Sequence, residues 1–116
     1  MDGIRIIKEP TTRAKLSEIA KERFGDLIKA AVDIENEIIA VGGEFHRDEM
    51  TALYEECGSK QQNVWGINIY PDNAAEDFIE FDSLINLKPE QDNRSRGIEN
   101  EDIKTKITLI VKKLVL

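Results

Sequence analysis

The sequence predicts an α+β fold: a mostly antiparallel sheet with helices packed mainly on one face, in the order β-α-β-β-α-β-β-α. Three observations predict it. Three segments carry apolar residues at helical spacing, several shorter runs are β-branched and alternate with polar residues, and Gly or Pro stands at most of the junctions. The first six elements match a split β-α-β core, to which an extra strand and a C-terminal helix are added at an edge.

Ile4, Ile6 and Ile7 make a short first strand that Pro10 stops. Thr11 or Thr12 then caps a helix to about Phe24, with Leu16, Ile19, Ala20 and Phe24 on one stripe and Gly25 available as its left-handed end. Leu27 to Val32 and Glu37 to Val41 read as a hairpin in which Ile28, Ala30 and Val32 share a face and Asn36 is suited to a positive φ. Gly42-Gly43 ends the second of these strands. Asp48 can cap the next helix, whose apolar positions are Met50, Leu53, Tyr54 and Cys57 and which Gly58 closes.

In the following strand Trp65, Ile67 and Ile69 take one face, Asn68 and Tyr70 the other, and Pro71 ends it. Phe78 to Leu87 alternates again, pairs antiparallel with that strand and stops at Pro89. A polar loop leads to the last helix, from about Glu99 or Asn100. Its acidic first turn and its Lys112-Lys113 end suit the helix dipole, and Ile103, Ile107, Ile110 and Leu114 form its buried stripe. With 116 residues, no internal repeat and no linker, residues 1–116 form a single domain.

Charge narrows the partners. The chain carries 16 basic and 23 acidic residues, a net charge of −7. The residues before Gly58 hold 8 basic against 13 acidic, and those after it 8 against 10, so neither half is basic. Nucleic acid and anionic membranes are disfavoured unless a local patch overrides that field. The lone Cys57 excludes an intrachain disulfide and a multi-cysteine zinc site, and no apolar run reaches membrane-span length. These features point to the cytoplasm.

Two strings concentrate chemistry. Glu44, His46 and Asp48 alternate around the lone histidine, the residue types of a general base or a hard-metal site. A helix beginning at Asp48 would instead give Asp48 a capping role. Asn93, Arg94, Ser95 and Arg96 form a basic, hydrogen-bond-rich loop before a helix, suited to a phosphate or carboxylate, although both arginines can equally pair with the chain's own carboxylates. Asn68, Tyr70, Glu80 and Asp82 share a polar sheet face, which is an outward surface unless another element covers it.

Five strings, Glu22-Arg23-Phe24-Gly25-Asp26, Gly42-Gly43-Glu44-Phe45-His46, Trp65-Gly66-Ile67-Asn68-Ile69-Tyr70-Pro71, Glu80-Phe81-Asp82-Ser83-Leu84-Ile85-Asn86 and Asn93-Arg94-Ser95-Arg96, resemble in this order a family of short bacterial and archaeal proteins classed as a domain of unknown function. The resemblance covers nearly the whole chain and implies a free-standing single domain. It implies no activity, cofactor or catalytic residue.

The leading expectation is a binding module for an anionic small molecule or a protein partner, using Asn93, Arg94, Ser95 and Arg96 with Asn68 and Tyr70, and forming a homodimer through exposed sheet edges. The alternative is a hydrolase or phosphotransfer-type enzyme. There His46 is the base, Glu44, Asp48 or Asp82 positions a metal or water, and Arg94 and Arg96 hold the anionic transition state. It requires His46 and the guanidiniums to meet. No particular cofactor is indicated.

Overall fold

A computed structural model describes residues 3–116. Five strands form one antiparallel sheet: β1 (Arg5–Ile7), β2 (Ile28–Asp33), β3 (Ile38–Val41), β4 (Val64–Ile69) and β5 (Ile79–Glu80), in the spatial order β1-β3-β2-β4-β5. Three α-helices, α1 (Arg13–Lys21), α2 (His46–Cys57) and α3 (Glu101–Leu114), complete the α+β fold. The element order is the expected one.

The strand order explains how the helices divide. β3 lies antiparallel between β1 and β2, and β2 lies antiparallel between β3 and β4, so β1-α1-β2 and β3-α2-β4 are both split β-α-β units. Both crossovers step the same way across the sheet but start from antiparallel strands. Two crossovers of one hand then need helices on opposite faces. Accordingly α1 and α3 share one face, with Leu16, Ile19, Ile107, Ile110 and Leu114 packed on Ala30, Val32, Ile39, Trp65 and Ile67. Leu53 of α2 packs on Ala31, Ile38, Ala40 and Val64 of the other face. Helices all on one face would require β4 to return beside β1, and it is added beside β2 instead.

The helix ends follow local chemistry. The Thr12 hydroxyl accepts from Lys15 N–H at 3.1 Å and starts α1, and Asn100 Oδ1 accepts from Ile103 N–H at 3.1 Å and starts α3. α3 buries Ile107, Ile110, Val111 and Leu114, each contributing roughly 1.5 to 3 kcal/mol of transfer free energy. α1 stops at Lys21, short of Phe24, and Gly25 then takes a φ of 92°. In the β2-β3 turn the positive φ (55°) belongs to Glu37, not Asn36. The Asp33 carboxylate explains the shift: it accepts from Glu35 N–H, Asn36 N–H and Asn36 Nδ2, using Asn36 as a donor rather than as the turn's left-handed residue.

Two expected elements change near the site. α2 begins at His46 instead of Asp48, with Phe45 at the N-cap and no side chain capping it, while Asp48 and Glu49 occupy the first turn. The expected strand from Phe78 to Leu87 shortens to Ile79–Glu80. Beyond it the Ser83 hydroxyl accepts from Ile85 N–H at 3.3 Å and opens a 3-10 turn over Leu84–Asn86.

Candidate functional site

A cavity of about 440 Å³ opens between the sheet, the start of α2 and the segment that follows β5. Its polar lining comprises Lys29, His46, Arg47, Asn68, Asp82, Ser83 and Arg96, and its apolar lining comprises Phe45, Met50, Leu84 and Ile85. The size suits a small-molecule site. Three basic side chains stand there against one acidic one, in a chain whose net charge is −7.

Each side chain is placed by an identifiable element. Lys29 lies on β2 between Ile28 and Ala30, so strand alternation turns it away from their core face. Its Nζ sits 5.0 Å from the Phe24 ring centroid and 5.6 Å from that of Phe45, and it forms no ion pair among the described residues. Aromatic faces hold an ammonium without neutralising it. Phe45, His46 and Arg47 enter together at the uncapped α2 N-terminus, where backbone N–H groups lack intrahelical partners.

His46 Nε2 lies 2.9 Å from the Ile67 carbonyl oxygen. A carbonyl only accepts, so Nε2–H donates and the neutral ring keeps its lone pair on Nδ1. Burial holds the imidazole pKa below its usual value, with help from the Lys29 charge. The Ile67 carbonyl, the Asn68 side chain and the Asp82 charge act in the opposite sense and do not overcome it.

Asn68 is only 8% exposed. Its Nδ2 donates to Glu80 Oε1 at 2.9 Å and to the Asp82 carbonyl at 3.4 Å, while its buried Oδ1 has no donor among the described residues. Tyr70 Oη donates to the same Glu80 oxygen at 3.1 Å. The expected polar group of Asn68, Tyr70, Glu80 and Asp82 therefore assembles. At Asn68 it is not an outward surface, because the α2 start and residues 82–85 flank it across the cavity.

Arg96 Nε donates to Asp82 Oδ1 at 2.8 Å, and the two side chains are 57% and 44% exposed. An ion pair this exposed contributes about 0.2 to 1 kcal/mol, so an incoming anion can compete for the guanidinium.

The basic loop otherwise differs from expectation. Asn93 is buried and holds the loop itself: Nδ2 donates to the Asn86 and Gly97 carbonyls at 2.7 and 2.8 Å, and Oδ1 accepts from Glu99 N–H at 2.8 Å. Arg94 N–H is already taken by Glu99 Oε2 at 2.8 Å. Arg94 and Ser95 are exposed and do not line the cavity, which leaves Arg96 as the loop's contribution. The Asn93 and Arg94 N–H groups are engaged by the Lys88 carbonyl and the Glu99 carboxylate, so neither is open to an anion.

Glu44, His46 and Asp48 are likewise not brought together as metal ligands: among the described residues no three His, Cys, Asp or Glu side chains are grouped to hold an ion. Their alternation required extended backbone, and the chain enters α2 at His46. Of the catalytic candidates, His46 and Asp82 line the cavity and Glu44 does not. His46 and Arg96 do share one cavity.

Sequence reasoning missed Lys29, Phe45 and Arg47. A lysine inside an otherwise apolar strand was the available signal for the first. The other two depended on where α2 begins.

Among the described residues no helix is long and apolar enough to cross a membrane. No curated protein and no solved structure matches the chain. One family's sequence model, that of DUF5674, described as a protein of unknown function, matches residues 5–114. That match spans nearly all of the 116 residues, and the chain belongs to this family.

Proposed function

We propose that the protein is a binding module for a small anionic molecule, held in the cavity at the α2 N-terminus. The observation that carries this reading is Lys29. Its ammonium, unpaired among the described residues, stands near two phenylalanine rings in a cavity that also offers Arg47 and Arg96 and adjoins the uncapped start of α2. Helix N-termini and guanidiniums both favour anions. A cytoplasmic location belongs to the same reading, supported by the single cysteine. So does a homodimer joined at the outer edge of β1, the last strand of the sheet on that side.

A thermal-shift screen against phosphate, nucleotides and small carboxylates tests the reading, because a ligand of the folded state raises the apparent Tm. A shift that disappears in Lys29→Met and shrinks in Arg96→Ala is expected. An identical shift in all three proteins would place the anion elsewhere.

A second reading is hydrolysis or phosphoryl transfer in the same cavity, with His46 Nδ1 accepting the proton of an attacking water and Arg96 facing the developing negative charge. It is favoured by His46 and Arg96 lining one cavity. Turnover lost in His46→Gln with ligand binding retained would support it. Binding without turnover across a panel of esters and phosphate esters would leave only the binding module.

A further inference from the structure

The binding reading specifies a charge, and the remaining groups specify more of the ligand. Opposite the cations the cavity presents acceptors. His46 Nε2 is committed to the Ile67 carbonyl, so the ring atom left for a ligand is the Nδ1 lone pair. Asn68, more than nine-tenths buried and part of the same lining, has its amide donor engaged by Glu80 and its Oδ1 unpartnered among the described residues. Asn68 follows Ile67, whose carbonyl holds the His46 ring, and both side chains line the cavity. A buried acceptor left without a donor is costly, so this wall of the cavity favours a ligand that brings a donor.

The donor is a hydroxyl rather than an ammonium, because an ammonium would join Lys29, Arg47 and Arg96 as a fourth cation. The mouth is apolar. Phe45 and Leu84 line it while 53% and 65% exposed, and such side chains gain by covering an apolar chain.

We propose that the ligand is a small hydroxy acid with an apolar tail, its acid group at Lys29 and Arg96, its hydroxyl donating to His46 Nδ1, and its tail on Phe45 and Leu84. The proposal rests on the anion-binding reading above and adds the donor and the tail to it.

Isothermal titration calorimetry of the full chain with three probes tests it: 2-hydroxy-4-methylpentanoate, 4-methylpentanoate and inorganic phosphate. The hydroxy acid is expected to bind about tenfold tighter than the deoxy acid, the worth of one well-made hydrogen bond. His46→Phe should remove that preference, and Lys29→Met should abolish binding of both acids. Equal affinity of the two acids for the wild type overturns the hydroxyl assignment and leaves the anion reading standing. Phosphate binding without either organic acid overturns the tail as well. No heat with any of the three, together with no thermal shift in the broader screen, overturns both readings.

Discussion

The Asn86 side chain pairs with the backbone of Gly66 as a strand would: Oδ1 accepts from Gly66 N–H at 2.7 Å and Nδ2 donates to the Gly66 carbonyl at 2.9 Å. One amide thus continues the β4 edge after β5 has ended, and the same Nδ2 also donates to the Arg96 carbonyl at 2.9 Å. Asn86→Ala strands these buried groups at a cost of about 2 to 4 kcal/mol. Gly66→Ala meets a different obstacle, since a Cβ there would lie 2.5 Å from Ser83 Cβ and 2.9 Å from Ile85 Cγ1. Overpacking of this kind costs about 1 to 3 kcal/mol. Urea unfolding of the two variants checks both values. A loss under 0.5 kcal/mol in Asn86→Ala, about the smallest net effect of one hydrogen bond, would show that the pairing does not hold the site's far wall.

Asp33 should set part of the acid limb of stability. Burial raises its pKa, but the Ser59 hydroxyl, Asn36 and Glu35 favour the charged form more strongly and leave it lowered. A lowered folded pKa contributes stability above the unfolded value of about 3.9, and that contribution is lost as pH falls through the folded pKa. Asp33→Ala should lose about 1 to 3 kcal/mol at neutral pH and show a flatter fall below about pH 4. Unfolding free energies measured across that range in both proteins decide the matter.

Glu49 should act in the opposite sense. It is fully buried on α2, and burial pushes its pKa well above the usual carboxylate range, against the weaker opposing pull of the Gly43 backbone and of the Lys29 and Arg23 charges. Stability from the neutral form is fully present below the unfolded pKa of about 4.3 and is lost as pH rises toward and through the folded value. Glu49→Gln should therefore gain on the wild type as pH rises, and the difference should be smallest near about pH 4. Parallel pH series of Tm check the sign. A difference independent of pH would mean that Glu49 finds a charged partner in solution.

His46 is the only histidine, so one set of imidazole resonances reports it. With its pKa lowered by burial, the ring should titrate below about 6.5. The folded state then resists a proton that the unfolded chain takes up, and stability should fall as pH drops from the unfolded pKa through the folded one. Lys29→Met removes a charge that favours the neutral ring and should move the NMR midpoint upward. An unchanged midpoint would place Lys29 too far from His46 to share a ligand with it.

Much of the fold was legible because it is written in local patterns. Thr12 and Asn100 announce their helices as caps, Gly58 takes the left-handed conformation that closes α2, and Ile28, Ala30 and Val32 lie on the core face that alternation assigns them, whereas Gly25 is left-handed but lies beyond the end of α1. The face taken by α2 was not legible, because it depends on β4 pairing with β2 instead of returning to β1, a choice made by long-range contacts. The site was half legible for the same reason. His46, Asp82, Arg96 and Asn68 stood out by residue type, whereas Asn93 and Arg94 proved to serve the loop's own hydrogen bonds. Lys29 was signalled only as a lysine in a largely apolar strand, and the fold then placed it beside Phe45 with no ion pair among the described residues.

Chemical-shift mapping of the isotope-labelled protein during titration with 2-hydroxy-4-methylpentanoate shows whether the α2 N-terminal cavity binds a small acid. Saturable shifts are expected at residues 45–47, at Lys29 and Asn68, across residues 82–85 and at Arg96, with residues 13–21 and 101–114 unmoved. Shifts confined to Arg94 and Ser95, or scattered over the surface without saturation, would contradict binding in the cavity.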